Sequence, residues 1–313
     1  MFFSIVVPTF NEEADIEETL SNLISIDYPN KEIIVVDDST DDTSLIVQKF
    51  ISHGVRLIRP AVRRGRCEAR NLGIESALGD VVVILNADVL LPSNYLSQIA
   101  RHYDAGYDSV TVLSEVKNMA DLYSRYVGLH YFRKLSRGVF EERKATLNGI
   151  FWSEGFSVRK SLLDQSSLFP SGFPIPIEAG EDVRFVDELR TLGCKGIIDD
   201  SILISHIAPS SFKEFWSVRK GRGAGTPQVR IYLDGWSYHK LFVFLVVKSF
   251  MRIIKVLTII PGVNYVAVLT KLSPEKPKIL EGLKLYWCWL VEQTAFSVGE
   301  FKSFFKILAA GRN

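Results

Sequence analysis

Short apolar runs alternate with stretches of helical periodicity through the first third of the chain. FFSIVV (2–7) is a strand-forming run, after which Ile16, Leu20, Leu23 and Ile24 recur at helical spacing and EIIVV (32–36) forms a second strand-like run. The pattern repeats, with SLIVQKFI (44–51) reading as a helix, VRLI (55–58) as a strand, CEARNLGIESAL (67–78) as a helix ended by Gly79, and VVVIL (81–85) as a strand. Such alternation, with strands apolar on both faces, predicts a mostly parallel sheet covered by helices. Residues 109–206 are less regular. They hold a polar, aromatic stretch at 123–140, LNGIFWSEGFSVRKS, a Pro-rich loop FPSGFPIPIEAGED, a helix VRFVDELRTLG closed by Gly193, and a strand SILISH ending at His206.

From about residue 236 the character changes, with LFVFLVV (241–247), the uncharged 256–270, LYWCWLV (285–291) and FKSFFKILAA (301–310). None is a clean run of about 18 uncharged residues, so the pattern predicts interfacial helices, or a short hairpin in the membrane, rather than simple spanning helices. Lys248, Arg252 and Lys255 share one helical face and are expected to meet anionic headgroups, although a solvated face has the same spacing.

The 313 residues, 47% of them hydrophobic, suffice for about two packed domains. A net charge of +1 conceals an asymmetry: residues 1–206 carry 21 Lys and Arg against 30 Asp and Glu, a net −9, whereas 207–313 carry 16 against 6, a net +10. An acidic front half suits metal ions and ligands presented through them, and a basic, aromatic tail suits phosphate or an anionic membrane surface. Cys67, Cys194 and Cys288 lie far apart, which points away from a disulfide framework or a zinc site and toward the cytosolic side of a membrane. MFFSIVVPTFNEE lacks a basic start and a small-residue cleavage site, so it reads as a first buried strand rather than a signal peptide.

Ligands of open sheets bind outside the carboxyl ends of the strands. Polar residues collect there: Pro8-Thr9-Phe10-Asn11-Glu12, then Asp37-Asp38-Ser39, then Asn86-Ala87-Asp88. On a continuing strand Asn86 and Asp88 point the same way. Crowded carboxylates call for a cation, and a hard one such as Mg²⁺ or Mn²⁺ takes one or two of them and completes its shell with water and substrate phosphates. DDSTDDT (37–43) also fits a turn and a helix N-cap. Similarly, Glu181-Asp182 in AGEDVRF fits a helix N-terminal charge as well as an active-site acid, and a lone His206 at a strand end fits packing as well as ligation.

SIVVPTFNEE, EIIVVDDSTDDT, RRGRCEARNLGI, VVVILNADV, EGFSVRKS and EAGEDVRF stand in the order found in family 2 glycosyltransferases, which the chain resembles over residues 3–206. The resemblance implies the GT-A fold, an α/β architecture with a Rossmann-like mixed, mostly parallel sheet flanked by helices, and a GDP- or UDP-sugar donor. It implies that Pro8, Thr9, Glu12, Asp37 and Asp38 line the nucleoside pocket, and that the loop 63–71 closes over it with Arg70 near the diphosphate or base. Asp88, with His206, would bind a divalent metal, Mn or Mg. Asp182, beside Glu181, would be the general base of an inverting transfer. The family's D-x-D is Asn86-Ala87-Asp88 here, which keeps a hydrogen-bonding side chain and removes one charge. The Q-x-x-R-W motif of processive synthases is replaced by FWSVRKGRGAG, with Arg219 and Arg222 at matching spacing, so a basic loop on the acceptor or diphosphate side is expected and polymerisation is not.

These readings divide the chain into a GT-A domain (1–206), a basic interfacial segment (207–235) and a helical membrane-associated region (236–313). The expected reaction moves a hexose, with mannose from GDP-mannose as the first candidate, onto a hydroxyl of a lipid-linked acceptor at the cytoplasmic face of the plasma membrane. The overall pattern is similar to a shortened cellulose-synthase-like architecture and to archaeal mannosyltransferases of lipid-linked glycan assembly. A polyprenyl-phosphate acceptor is the alternative; being ionised already, it needs no base. A sugar nucleotidyltransferase is disfavoured because PTFNEE contains no Gly-rich phosphate loop. A noncatalytic binding module remains open, and the basic surplus lies among apolar helices, unlike a nucleic-acid stripe.

Overall fold

The structure, a computed structural model, describes residues 1–62, 65–134 and 154–311. In chain order the elements are β1 (Phe3–Thr9), α1 (Ile16–Ser25), β2 (Lys31–Asp37), α2 (Thr43–Gln48), β3 (Val55–Ile58), α3 (Arg66–Glu75), β4 (Val81–Ile84), β5 (Val89–Leu90), α4 (Tyr95–Asp104) and β6 (Ser109–Val116). Then follow α5 (Leu122–Lys134), β7 (Phe156–Arg159), α6 (Lys160–Leu163), α7 (Glu181–Thr191), β8 (Gly196–His206), α8 (Phe212–Gln228), α9 (Tyr238–Leu257), α10 (Ile260–Leu272) and α11 (Lys278–Ala310). The chain forms two compact units from interleaved segments. One comprises Met1–Glu115, Phe140–Gly172 and Glu181–Ile207; the other comprises Val116–Val139, Phe173–Gly180 and Ala208–Asn313.

The first unit is built on an eight-stranded sheet of order β3-β2-β1-β4-β7-β6-β8-β5. Strands β1, β2, β3 and β4 pair in parallel, as the alternation predicts, and their Val and Ile side chains are buried on both faces. Beyond β4 the sheet changes sense: β4–β7, β6–β7 and β5–β8 are antiparallel. The sheet is therefore mixed, as the family resemblance implies, where the alternation of the first third alone predicts a mostly parallel one. Only strands joined by short crossover helices are held to a parallel sense, and β7 follows a long excursion that imposes no such limit. The irregular middle hides the buried strand β6 and, before it, the amphipathic α4 with Tyr95, Leu96, Ile99 and Tyr103 inside.

The second unit is helical, and it corrects two expectations. FWSVRKGRGAG is not a loop but part of α8, started by a capping box in which Glu214 N donates to Ser211 Oγ at 3.2 Å and Ser211 N donates to Glu214 Oε2 at 3.3 Å. Its glycines read as breakers, yet they let two backbones touch. A Cβ on Gly223 would collide with the Phe296 carbonyl, and one on Gly299 of α11 would collide with the Lys220 carbonyl. Close helix packing offsets the cost of about 1 kcal/mol for a helical glycine.

The second correction concerns α9. Lys248 and Arg252 do not form an outward stripe; both turn inward to Glu300 of α11, which is 0% exposed, with Lys248 Nζ at 2.6 Å from Oε1. Phe242, Val243, Val247, Phe250, Ile253 and Leu257 are among the exposed side chains, together with Lys240 and Lys255. Two other glutamates of α11 hold arginines in the same way, Glu281 to Arg125 at 2.8 Å and Glu292 to Arg219 at 3.2 Å. Among the described residues no helix is long and apolar enough to cross a membrane.

Candidate active site

The loops after β1 and β2 are stitched together by their own polar groups. Asn11, with φ at 57°, turns the chain out of β1 in a left-handed conformation that Asn tolerates. Its amide N donates to Ser39 Oγ at 2.8 Å, its Oδ1 accepts from Thr40 N at 2.9 Å, and Glu12 N donates to Thr43 Oγ1 at 2.9 Å. Asp37 is 1% exposed; its Oδ1 accepts from Thr9 Oγ1 at 2.8 Å and from Ser39 N at 3.2 Å, while Oδ2 lies 3.6 Å from Arg59 Nε. A buried carboxylate needs such partners. Thr9 and Asp37, expected to face the ligand, thus form the floor beneath it. Asp38, half-buried, accepts from Gly65 N at 3.2 Å, which draws the start of α3 to the same loop. Pro8 is half-buried at the end of β1. Arg63, at the start of the expected closing loop, lies outside the described residues.

β4 ends at Ile84, and Asn86-Ala87-Asp88 is a turn, so strand alternation does not govern where Asn86 and Asp88 point. The turn is held on both sides. Thr19 of α1 donates its hydroxyl to Ala87 O at 2.5 Å, and Ile207 N donates to Asp88 O at 2.8 Å. The β5–β8 pairing sets Val89 against His206, and His206 Nε2 stands 3.1 Å from Asp88 Oδ2. Burial, and then the charge of Asp88, push the Glu12 carboxyl up to about 8. Acids from two sheet loops therefore repel each other across the crevice, as the sequence pattern implied.

At the start of α7, Glu181 is 3% exposed and Asp182 is half-buried. Arg70 of α3 is also buried, at 2% exposure, and its Nη1 donates to Glu181 Oε1 at 2.6 Å while Nη2 donates to Asn86 Oδ1 at 3.4 Å. Burial works against the charged form of Glu181, but the Arg70 guanidinium outweighs it and holds the carboxyl below its usual range. Asp182 moves the other way: burial first, and then the Glu181 charge, raise its carboxyl above the usual range. Adjacent carboxyls with opposed shifts mark a division of roles. Arg70 is thus bound to one carboxylate and one amide oxygen of the protein, and Arg219 is likewise buried, against Glu292 in the helical unit. Arg222 is exposed on α8.

The glycosyl transferase family 2 profile matches residues 4–166, just over half of the chain. The chain belongs to that family. It is 24% identical over 246 residues to a poly-beta-1,6-N-acetyl-D-glucosamine synthase of Staphylococcus epidermidis, covering 75% of this chain and 56% of that protein. It is 30% identical over 166 residues to the GalNAc(5)-diNAcBac-PP-undecaprenol beta-1,3-glucosyltransferase of Campylobacter jejuni, covering 51% and 52% respectively. The chain spans about half the length of these curated relatives. Its fold is like that of the mannosyltransferase PcManGT from Pyrobaculum calidifontis, solved with GDP-Man and Mn²⁺, with a TM-score of 0.60 at 21% identity over 97% of this chain and 87% of that one. The mixed sheet flanked by helices is accordingly GT-A-like.

A divalent cation fits the donor set of this glycosyltransferase. Asp88 Oδ1 is buried without a hydrogen-bond partner among the described residues, beside an imidazole on Oδ2. The described residues contain no group of three or more His, Cys, Asp or Glu that could hold a metal. Two protein ligands suit a hard ion that takes the rest from a diphosphate and water. Residue-by-residue reading missed Thr19 and Arg59, which place the site rather than form its surface. Thr19 did leave a signal, because it is a polar residue adjoining the apolar stripe of Ile16, Leu20 and Leu23, where a buried hydroxyl requires a partner.

Proposed function

We propose that this family 2 glycosyltransferase moves a hexose from a nucleotide sugar to a hydroxyl of a lipid-linked acceptor, with inversion, and that mannose from GDP-mannose is the donor to test first. The reading is carried by one observation. A single guanidinium, that of Arg70, hydrogen-bonds both Asn86 and Glu181, so the turn bearing Asp88 and the helix start bearing Asp182 belong to one crevice. The acceptor oxygen attacks the anomeric carbon, its proton passes to Asp182, and the bond to the diphosphate oxygen breaks with its electron pair on the leaving nucleoside diphosphate. Burial and the Glu181 charge raise the Asp182 carboxyl above its usual range, which makes it a stronger proton acceptor than an exposed aspartate. Asp88 and His206 would hold Mn²⁺ or Mg²⁺, which when bound neutralises charge on the leaving diphosphate. Pro8, Glu12 and Asp38 line the nucleoside side over the floor made by Thr9 and Asp37.

The acceptor's lipid nature is supported by the outer face of α9, where apolar side chains face outward while Lys248 and Arg252 turn in to Glu300. We place that face on the cytoplasmic leaflet of the plasma membrane, with Lys240 and Lys255 at its margins among anionic headgroups. The test is transfer of labelled sugar from GDP- and UDP-sugars into lipid extract with Mg²⁺ or Mn²⁺, comparing wild type with Asp182→Asn. Label lost in the variant supports the hydroxyl acceptor. Label that survives identifies an acceptor already ionised, such as a polyprenyl phosphate, and removes Asp182 from the base role. Absence of transfer from every donor refutes the reading as a whole.

A further inference from the structure

Arg70 and its neighbour Asn71 grip more of the site than a donor-binding arginine needs to. Asn71 brackets Phe169, with Nδ2 donating to Phe169 O at 2.8 Å and Phe169 N donating to Asn71 Oδ1 at 2.9 Å. The Phe169 ring lies under the Arg70 guanidinium, 5.0 Å from its centre, and stacks on Phe185 of α7 at 4.2 Å. Phe185 is itself 0% exposed and stands one helical turn after Glu181. The first turn of α7 is therefore held to α3 twice, by charge through Arg70–Glu181 and by ring stacking through Phe169–Phe185. The second arm of the same guanidinium reaches the turn that carries Asp88.

We infer that Arg70 is a positioning residue: it sets the base Asp182 relative to the Asp88 turn and does not touch the donor. The inference rests on the assignment of Asp182 as base. A planar fork is what makes this possible, because it serves two acceptors in fixed directions, whereas an ammonium can neutralise Glu181 without holding Asn86 at the same time. It also gives Asn86 a role: an amide oxygen accepts from the second arm without adding a charge that would compete with Glu181 for the guanidinium. A base displaced by about 1 Å costs on the order of 100-fold in rate.

The full chain carries the test, as Arg70→Lys, Glu181→Gln and the double variant Arg70→Met/Glu181→Met, with melting temperature recorded for each. Three quantities are read: the affinity for GDP and UDP with Mn²⁺, the kcat and donor KM for the donor found active, and amide hydrogen exchange over residues 86–90 and 181–185. The expected result is nucleoside diphosphate affinity within about 3-fold of wild type and donor KM unchanged. At the same time kcat falls on the order of 100-fold in Arg70→Lys, and exchange quickens in both segments together. Loss in the double variant should not exceed that of the worse single change. A 10-fold or larger loss of nucleoside diphosphate affinity in Arg70→Lys and in the double variant, with Glu181→Gln normal, overturns the inference and returns Arg70 to the donor. Where Arg70→Lys does not fold, the double variant, which removes the arm to Asn86 and leaves no unpaired buried charge, decides through the exchange of residues 86–90. Quickening there supports the strut, and an unchanged segment refutes it. These binding and exchange readouts stand even if no sugar is transferred, so failure of the proposed reaction and failure of the positioning role are told apart.

Discussion

In the sheet unit, Val81, Val82, Val83 and Ile84 are at most 1% exposed and the acids gather where the strands stop. In the helical unit the arrangement is reversed. Glu281 and Glu300 are buried against Arg125, Lys248 and Arg252, while Phe242, Val247, Phe250, Ile253 and Leu257 of α9 lie on the surface. Both regions obey the same rule, that buried polar groups must be paired and apolar groups must leave water. The difference therefore teaches what each region faces. The apolar outer face of α9 is the surface on which the proposed membrane contact rests.

The largest expected effect breaks the inverted interior. Glu300→Ala removes the carboxylate that Lys248 and Arg252 share, and loss of one partner of a buried ion pair costs about 3–5 kcal/mol. Equilibrium denaturation in detergent and in buffer checks it. Next in size is the outer face. Phe250→Asp removes about 1.5–3 kcal/mol of burial, so co-sedimentation with anionic vesicles should fall by about 10-fold or more. Binding that survives would show that α9 meets something else. Gly223→Ala follows, because its Cβ meets the Phe296 carbonyl and overpacking costs about 1–3 kcal/mol, read as a lower melting temperature.

The smallest effects come from the sheet unit's acids and are read as pH dependence. Glu12 has a folded-state pKa near 8 against an ordinary 4.5, so the folded protein keeps a proton that the unfolded chain releases. Its contribution is present below about pH 4.5 and is lost as pH rises toward 8. Glu12→Gln should flatten the melting temperature over that interval. Asp182 is raised by burial and then by Glu181, so Glu181→Gln should move the acidic limb of kcat to lower pH, because it removes a like charge and leaves Arg70 nearby. A limb that stays in place would show that another group titrates there.

Much of this was legible in the chain. The alternation of β1 to β4 with α1, α2 and α3 follows from runs of Val and Ile separated by helical periodicity, whereas the S-x-x-E of Ser211–Glu214 that starts α8 was a signal the loop reading passed over. The polar residues after β1, β2 and β4 collect at one end because parallel strands end on one side. Local pattern could not supply partners far apart in sequence: Arg70 and Glu181 are 111 positions apart, and Arg125 and Glu281 are 156 apart. For the same reason the burial of Arg70, Arg219 and Asp37 against distant protein partners was not legible. The β-sheet's change of sense at β7 was equally out of reach, since it depends on where a long excursion returns.

Sequence by itself determined which residues are strand formers, which helices are two-faced, and that a family 2 glycosyltransferase's motifs occur in order. Tertiary structure decided which face of α9 turns inward, that GRGAG is a helix contact rather than a loop, and that Asn86 and Asp88 sit in a turn with different partners. The physical reason is that periodicity shows two faces to be different without showing which one is covered. That depends on whether each buried charge finds a countercharge, and those countercharges are brought together only by folding.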